Sequence, residues 1–564
     1  GISILNNQSQ LGLAQMKSVR DKLEEFKKTG KFVYAYANNY SQGEYYLNSV
    51  ANKVYLNPVG EVDFKGLSAE ILYLKELQEK SGVKFEVIRH GKYKSAVEPY
   101  LENEMSPANR YQIKSLLKDI WETLKIEIAG ARELAPEILD KIIKVNEYDI
   151  VIDLTTNTPT YTILKECRIR KLLYINTSIE DDNPLTITKN CPINNSIFLQ
   201  HINLLAITNK TSNNDDNITS IVEFGMNPGL ISVFVKQGII NLTKNVLKYQ
   251  IRNNSLNKQL LRYYKNKDHK NLAQILDIKA IHCSEIDTQI PQKKPKQPFI
   301  NTWSAVGLIT EGIEPAEIQI GTHEKILPFK KSNVSQIIPQ LITTKTPGKD
   351  IHIKSIVPLN INPNGDVEFT YIEGRCIHHG EGISLNRYIG SFQYSPTMHY
   401  VYKLNPITDK LLDNFSEQQL IDISENPQKW KVLNVYEDKL HGYDNIGALF
   451  VFDKNPITNV KEPFSFWTGS ILHTNYTKNI LKDKYFGPTI IQVMAGILSG
   501  IHWMIKNKNS GITFGEDLDD NYIIKLSKKF LGKYYSGPVD KNFKLQSTTL
   551  DKLIVKGSDK TYTN

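Results

Sequence analysis

The chain has 564 residues, 40% of them apolar and 23% charged, with a formal charge of +9. That is enough chain for three or four domains with sizeable cores. The Lys and Arg residues are scattered instead of gathered into a basic stripe, which argues against a nucleic-acid footprint. Cys167, Cys191, Cys283 and Cys376 lie far apart with no CxxC or Cys/His spacing, so neither zinc nor a redox pair is expected, and a reducing cytoplasm fits.

Leu11–Lys28 alternates apolar and charged residues at helical spacing and stops at Gly30. Phe32–Ala37 reads as a strand, Gly43–Asn48 as a helix, and Lys53–Leu56 as a strand halted by Asn57 and Pro58. Ser68–Ser81 has the pattern of an amphipathic helix, Phe85–Arg89 of a strand, and Ser106–Ile128 of a long helix with Ile113, Leu117, Ile120 and Leu124 on one face. Alternating strands and helices predict an α/β layer.

Three stretches of this segment carry a resemblance. Asn39–Leu47, Tyr55–Gly60 and Gly91–Pro99 resemble the long form of signal peptide peptidase (protease IV). The resemblance implies a crotonase-like fold of ββα units over about residues 1–140 and a serine–lysine dyad. It puts Lys94 at the position of the general base, a role suited to a desolvated lysine. The family's serine comes from a second half; neither that half nor the membrane anchor is expected here, so Lys94 is expected to be idle.

Tyr148–Leu154 reads as a buried parallel strand, Tyr161–Arg168 as a helix and Leu172–Asn176 as the next strand. Ser220–Glu223 is a further strand, followed by the Gly225–Gly229 turn and a helix over Ile231–Ile240. Ile490–Ile505 is a long apolar run, interrupted by Gln492 and His502; it reads as a buried helix instead of a membrane span. No leader or membrane anchor is expected.

Eight motifs now follow one another: Tyr174–Glu180, Gly225–Gly229, Glu285–Gln289, Asn301–Ser304, Gly321–Glu324, His379–Glu381, His399–Tyr400 and Gly442–Asp444. In this order they resemble bacterial homospermidine synthase over about three-quarters of the chain. The resemblance implies a cytoplasmic homodimer that uses NAD to take a hydride from putrescine and return it, so that two putrescines become homospermidine with release of ammonia. It implies an incomplete Rossmann-type doubly wound sheet over about 141–245 and an α+β catalytic domain over 246–564, with C-terminal helices returning to the Rossmann-like domain.

The same resemblance marks Trp303, Glu285, Glu311, His379, Glu381 and Asp444 as the catalytic set and Glu180, Asn227 and Asn157 as substrate contacts. Thr155, Thr177, Asn227 and Pro228 would meet the cofactor. The residue types suit a flexible dication. An indole face attracts a cation, worth roughly 0.5–2 kcal/mol, spaced carboxylates hold its ends, and a histidine moves protons near neutrality. Taken singly, each has a plainer reading: a surface carboxylate, a core aromatic, a hydrogen-bonded histidine. His378, His379 and Glu381 offer no third zinc ligand at suitable spacing, so no metal is expected.

The sequence departs from the family pattern in two places. No Gly-rich phosphate turn precedes Tyr148, and the only G-x-G, Gly380–Gly382, lacks a third glycine. The family usually carries aspartate near Asn157, where this chain has asparagine. The join between the two resemblances falls between Leu134 and Asn146. An impaired synthase is therefore the leading expectation; a peptidase-like module without its nucleophile and a non-catalytic diamine-binding or scaffold protein are the alternatives.

Overall fold

The computed structural model describes residues 1–6, 11–57, 60–81, 86–87, 94–132, 150–155, 160–179, 196–210, 217–249, 255–293, 295–326, 328, 334–335, 341–377, 379–479, 481–482 and 485–557. The chain divides into two compact units, Gly1–Asn146 and Glu147–Asn564. The expected join and most of Phe85–Arg89 lie outside the described residues.

In the first unit, Ile2–Asn6, Val33–Ala37 and Lys53–Leu56 form a parallel sheet in that spatial order. Helices Leu13–Lys28, Gln42–Asn48 and Pro107–Ala131 supply Met16, Leu23, Tyr46, Leu47, Leu124 and Ile128 to the core that also buries Val33 and Ala35. Ser41 caps the second helix by accepting from the Glu44 amide, and Glu44 returns a bond to the Ser41 amide. One expectation fails: the helix over Ser68–Ser81 is confined to Lys75–Ser81. Upstream, the Leu74 amide donates to the Pro99 carbonyl at 2.6 Å, and Leu72 is exposed, so no apolar face is buried there.

The second unit is built on two large sheets, beside a small parallel pair of Phe299–Asn301 with Trp430–Val432. Ile512–Thr513, Ser220–Ile221, Leu173–Asn176 and Ile150–Asp153 form a four-stranded, wholly parallel sheet in that order. Leu173–Asn176 is buried throughout, as expected of an apolar run in a parallel sheet. The expected strand to Glu223 ends at Ile221, because Glu223 takes φ 55 and turns the chain away. The second sheet is a mixed one of eleven strands, with Ala280–Asp287 at its centre between Thr397–Lys403 (parallel) and Tyr443–Phe452 (antiparallel). Helix Leu230–Tyr249 carries a nearly continuous buried face and packs on Tyr443–Phe452 and Phe464–His473.

Helix Pro488–Lys506 contains the long apolar run. It is long and apolar enough to cross a membrane, but half of its apolar window is buried. Ile491, Ala495, Gly496, Ser499 and Trp503 turn inward, and the helix packs against the parallel sheet. The chain returns to that sheet at its end, where Ile512–Thr513 pairs with Ser220–Ile221.

Candidate active site

A cavity of about 280 Å³ opens within the second unit. One wall is made by the carboxyl ends of the parallel strands: Leu154 and Thr155, Thr177 and Ser178, and the Gly225–Pro228 turn. The other walls carry Glu285, Trp303, Glu311, His379, Tyr400, Asp444 and Thr489. Of the expected catalytic set, only Glu381 and Lys94 are missing from this lining. All four expected cofactor contacts, Thr155, Thr177, Asn227 and Pro228, are part of it. Glu180 and Asn157 lie outside the described residues.

Strand register creates the floor. Glu285 and Asp287 are two apart on Ala280–Asp287 and so project to one face. The antiparallel neighbour sets Asp444 directly opposite Asp287. Three carboxyl groups are thus gathered at 3%, 1% and 0% exposure. Desolvation, then the Asp444 charge, push Glu285 well above the ordinary carboxyl range; desolvation, then Asp287, do the same to Asp444. Glu285 and Asp444 are within hydrogen-bonding reach of each other, so the pair retains a proton and titrates as a unit. Asp287 is raised less, to about 6, because Thr302 and Gln289 donate to it. Thr489 donates to Asp444, and Tyr400 donates to Glu285.

Trp303 follows the short strand Phe299–Asn301 and precedes helix Ala305–Ile313, which Ser304 caps through the Gly307 amide. Its indole Nε1 donates to the Tyr402 hydroxyl at 3.2 Å. A side chain at 307 would place Cβ 2.9 Å from the indole, so glycine there makes room for the ring. Glu311 stands one turn further along the same helix. Its carboxylate lies 3.5 Å from His379 Nε2.

His379 also has its Nδ1 3.9 Å from Glu381 and its ring edge-on to Tyr400 at 4.5 Å. Glu381 opens helix Glu381–Ile389 and faces a small second chamber of about 20 Å³ behind His379, lined also by Glu317, Cys283 and His399. Burial raises Glu381 to about 7, against the lowering effect of His379. The Asn227 amide abuts Glu381 and, with its nitrogen turned toward the acid, donates to it, which ties the turn at the parallel sheet to Glu381. Burial drops His399 to about 3 and keeps it neutral.

Several residues of this site had no assigned role in the sequence reading: Asp287, Tyr400, Tyr402, Thr489 and Gln289. Asp287 and Tyr400 stood inside recognised motifs, and that was the available signal. Thr489 comes from a helix 45 residues beyond Asp444 and carried none. The Gly321–Glu324 motif lines neither cavity. Glu324 accepts from Thr397 Oγ1 at 2.8 Å and from the Leu550 amide, and His323 meets the Thr548 carbonyl at 3.1 Å, so the motif anchors the C-terminal segment. Lys94 is exposed, just ahead of a short 3-10 turn at Ser95–Val97 in the first unit. Among the described residues, no three His, Cys, Asp or Glu side chains gather to hold a metal ion.

Known proteins resemble the two parts separately. The model of peptidase family S49 matches residues 25–149, and that of the saccharopine dehydrogenase C-terminal domain matches residues 225–533. Homospermidine synthase of Mesorhizobium japonicum is 27% identical over 418 residues, 71% of this chain and 78% of that protein. Protease 4 of Haemophilus influenzae is 45% identical over 112 residues, 20% of this chain and 18% of that protein, so only a fifth of a protease 4 length is matched. The crystal structure of homospermidine synthase from Legionella pneumophila in complex with NAD aligns with a TM-score of 0.54 at 21% identity, covering 98% of this chain and 97% of that one, a likeness of fold. With its matched region spanning more than half of the sequence, the chain belongs to the saccharopine dehydrogenase C-terminal domain family.

Proposed function

We propose that the second unit is a homospermidine synthase: it joins two putrescine molecules with release of ammonia, using NAD. The reading is carried by one arrangement, the buried Glu285–Asp444 pair on the floor of a cavity that Trp303 walls on one side and parallel strand ends wall on another. Ligands of open parallel sheets gather at such strand ends. Leu154, Thr155, Thr177, Asn227 and Pro228 fit a flat redox ring there, and they would hold the cofactor. When bound, NAD accepts a hydride from the amine-bearing carbon and later gives it back. The sequence carries no Gly-rich phosphate turn ahead of Ile150–Asp153, and we take its NAD affinity to be lower than that of the relatives.

The chain's own groups divide the remaining work. The Glu285–Asp444 pair holds one ammonium end of the diamine and accepts its proton as the amine is made neutral. Trp303 lies over the alkyl chain and the cation, its ring fixed by Tyr402 and accommodated by Gly307. Glu311 and His379 face the other end of the cavity, where they exchange protons with the nitrogen that leaves and the nitrogen that replaces it. Glu381, poised near neutrality and backed by Asn227, reloads His379.

The first unit is, in this proposal, a crotonase-like fragment without catalysis of its own. Its parallel sheet supports that fold, and the exposure of Lys94 supports the idle role. The protein works as a homodimer in a reducing cytoplasm, in keeping with the buried free thiols Cys167, Cys283 and Cys376. The test is direct. The purified chain, incubated with putrescine and NAD, should yield homospermidine and ammonia by mass spectrometry. Absence of product, together with no saturable NAD binding by calorimetry, would remove the enzymatic reading.

A further inference from the structure

Glu223 has no part in the scheme above, yet its placement is unusual in three ways. It adopts φ 55, a left-handed conformation that residues with a side chain avoid. It is only 4% exposed, and its carboxylate meets His201 Nε2 at 2.8 Å, with His201 itself 1% exposed. That carboxylate also lies flat on Gly380: a Cβ built at 380 would fall 2.0 Å from Glu223 Oε2.

The surroundings lock this geometry. Asn176, the last residue of its parallel strand, accepts the Glu223 amide on Oδ1 and the Phe224 amide on its carbonyl, both at 2.8 Å. His201 stacks on Phe514 at 4.9 Å, and Arg387, from the helix that Glu381 opens, covers the same Phe514 ring at 4.9 Å. Gly380 is therefore seated between the end of the parallel sheet and the start of that helix. The residues on either side of it are His379 and Glu381.

We infer that Glu223, steadied by His201, is a positioning residue: its carboxylate fills the space above Gly380, fixes where His379 and Glu381 stand, and sets part of the charge they face. The groups around Glu381 are His379, Glu311, Glu223, Glu317, His399 and Cys283. Of these, Glu223 and Glu311 lie where negative charge makes Glu381 hold its proton longer, while His379 works the other way. Glycine at 380 is required by the carboxylate that rests on it, and a pair of variants can reveal that dependence.

The kinetic arm of the test rests on the homospermidine synthase reading; the spectroscopic arm does not. Glu223→Gln keeps the shape and removes the charge. The acid limb of its pH–rate profile should move down by about half to one unit, with plateau kcat within about threefold of the parent. Gly380→Ala should lose at least about 100-fold in kcat/KM, and Gly380→Ala combined with Glu223→Ala should regain at least about tenfold of that, a coupling that unrelated structural damage would not give. In the spectroscopic arm, the carboxyl carbon of Glu381 is followed by NMR in carbon-13-glutamate protein and assigned by its loss in Glu381→Gln. Its titration should move to lower pH in Glu223→Gln. An unmoved Glu381 titration, or strictly additive effects at 380 and 223, would overturn the inference. A parent chain that makes no homospermidine would sink the functional reading alone, leaving the NMR titration to decide this one.

Discussion

Putrescine binding should drive a proton out of the cavity floor. Glu285 and Asp444 are buried against each other and hold a proton because neither charge can be solvated. A carboxyl raised in this way favours the fold at low pH, and that contribution fades as pH climbs above the ordinary carboxyl range, where an unfolded chain would ionise first. An ammonium group arriving within about 4 Å contributes about 4 kcal/mol at an effective dielectric of about 20. That corresponds to about three pKa units, a strong push of the pair toward its ionised form. Diamine binding should then release protons, up to about one per diamine bound, and affinity should weaken as the pH falls. Calorimetry in two buffers of different ionisation enthalpy counts the proton. Asp444→Asn should bind at least about tenfold more weakly and release about half a proton or less, since the remaining carboxyl has lost its anionic neighbour. Equal binding enthalpies in the two buffers for the parent chain would refute the shared-proton argument.

Trp303→Ala should weaken putrescine binding about threefold to thirtyfold by calorimetry while the thermal midpoint stays close to that of the parent, in line with a cation–π contact of roughly 0.5–2 kcal/mol; unchanged affinity would remove the indole from the site. Gly307→Ala should push the indole off its seat, lowering diamine affinity severalfold, and a crystal structure of the variant should show the ring rotated away from Tyr402. Lys94→Ala should change neither homospermidine production nor labelling by an activated-serine probe, and Lys94-dependent labelling would show that the first unit is not idle.

The sequence made much of the site legible because its groups sit in short local motifs. Glu285, Trp303, Glu311, His379 and Asp444 share one cavity although they span 160 residues of chain; motif order brought four of them together, and the resemblance added Glu311 from between two motifs. Residues that complete the site through strand register were harder to read. Nothing local tells that Asp287 faces Asp444, or that Tyr400 reaches Glu285, because register is fixed by strands more than 100 residues apart. Long helices with many apolar residues, such as Pro107–Ala131 and Pro488–Lys506, fell close to their expected limits. Ser68–Leu74 had the helical pattern but found no surface to bury its apolar side, and a tertiary bond to Pro99 took the Leu74 amide instead. The Gly321–Glu324 motif identified the family without touching the cavity, since it serves the scaffold.

That scaffold role bears on how the protein should be handled in the laboratory. The stretch around Thr548–Leu550 is stitched to Glu324 and His323, partners 225 and 226 positions apart in sequence. Trimming back from Thr548 would strand a buried acid with fewer donors and loosen the long mixed sheet from one end. Any purification handle should leave Thr548–Leu550 and its bonds to Glu324 and His323 intact.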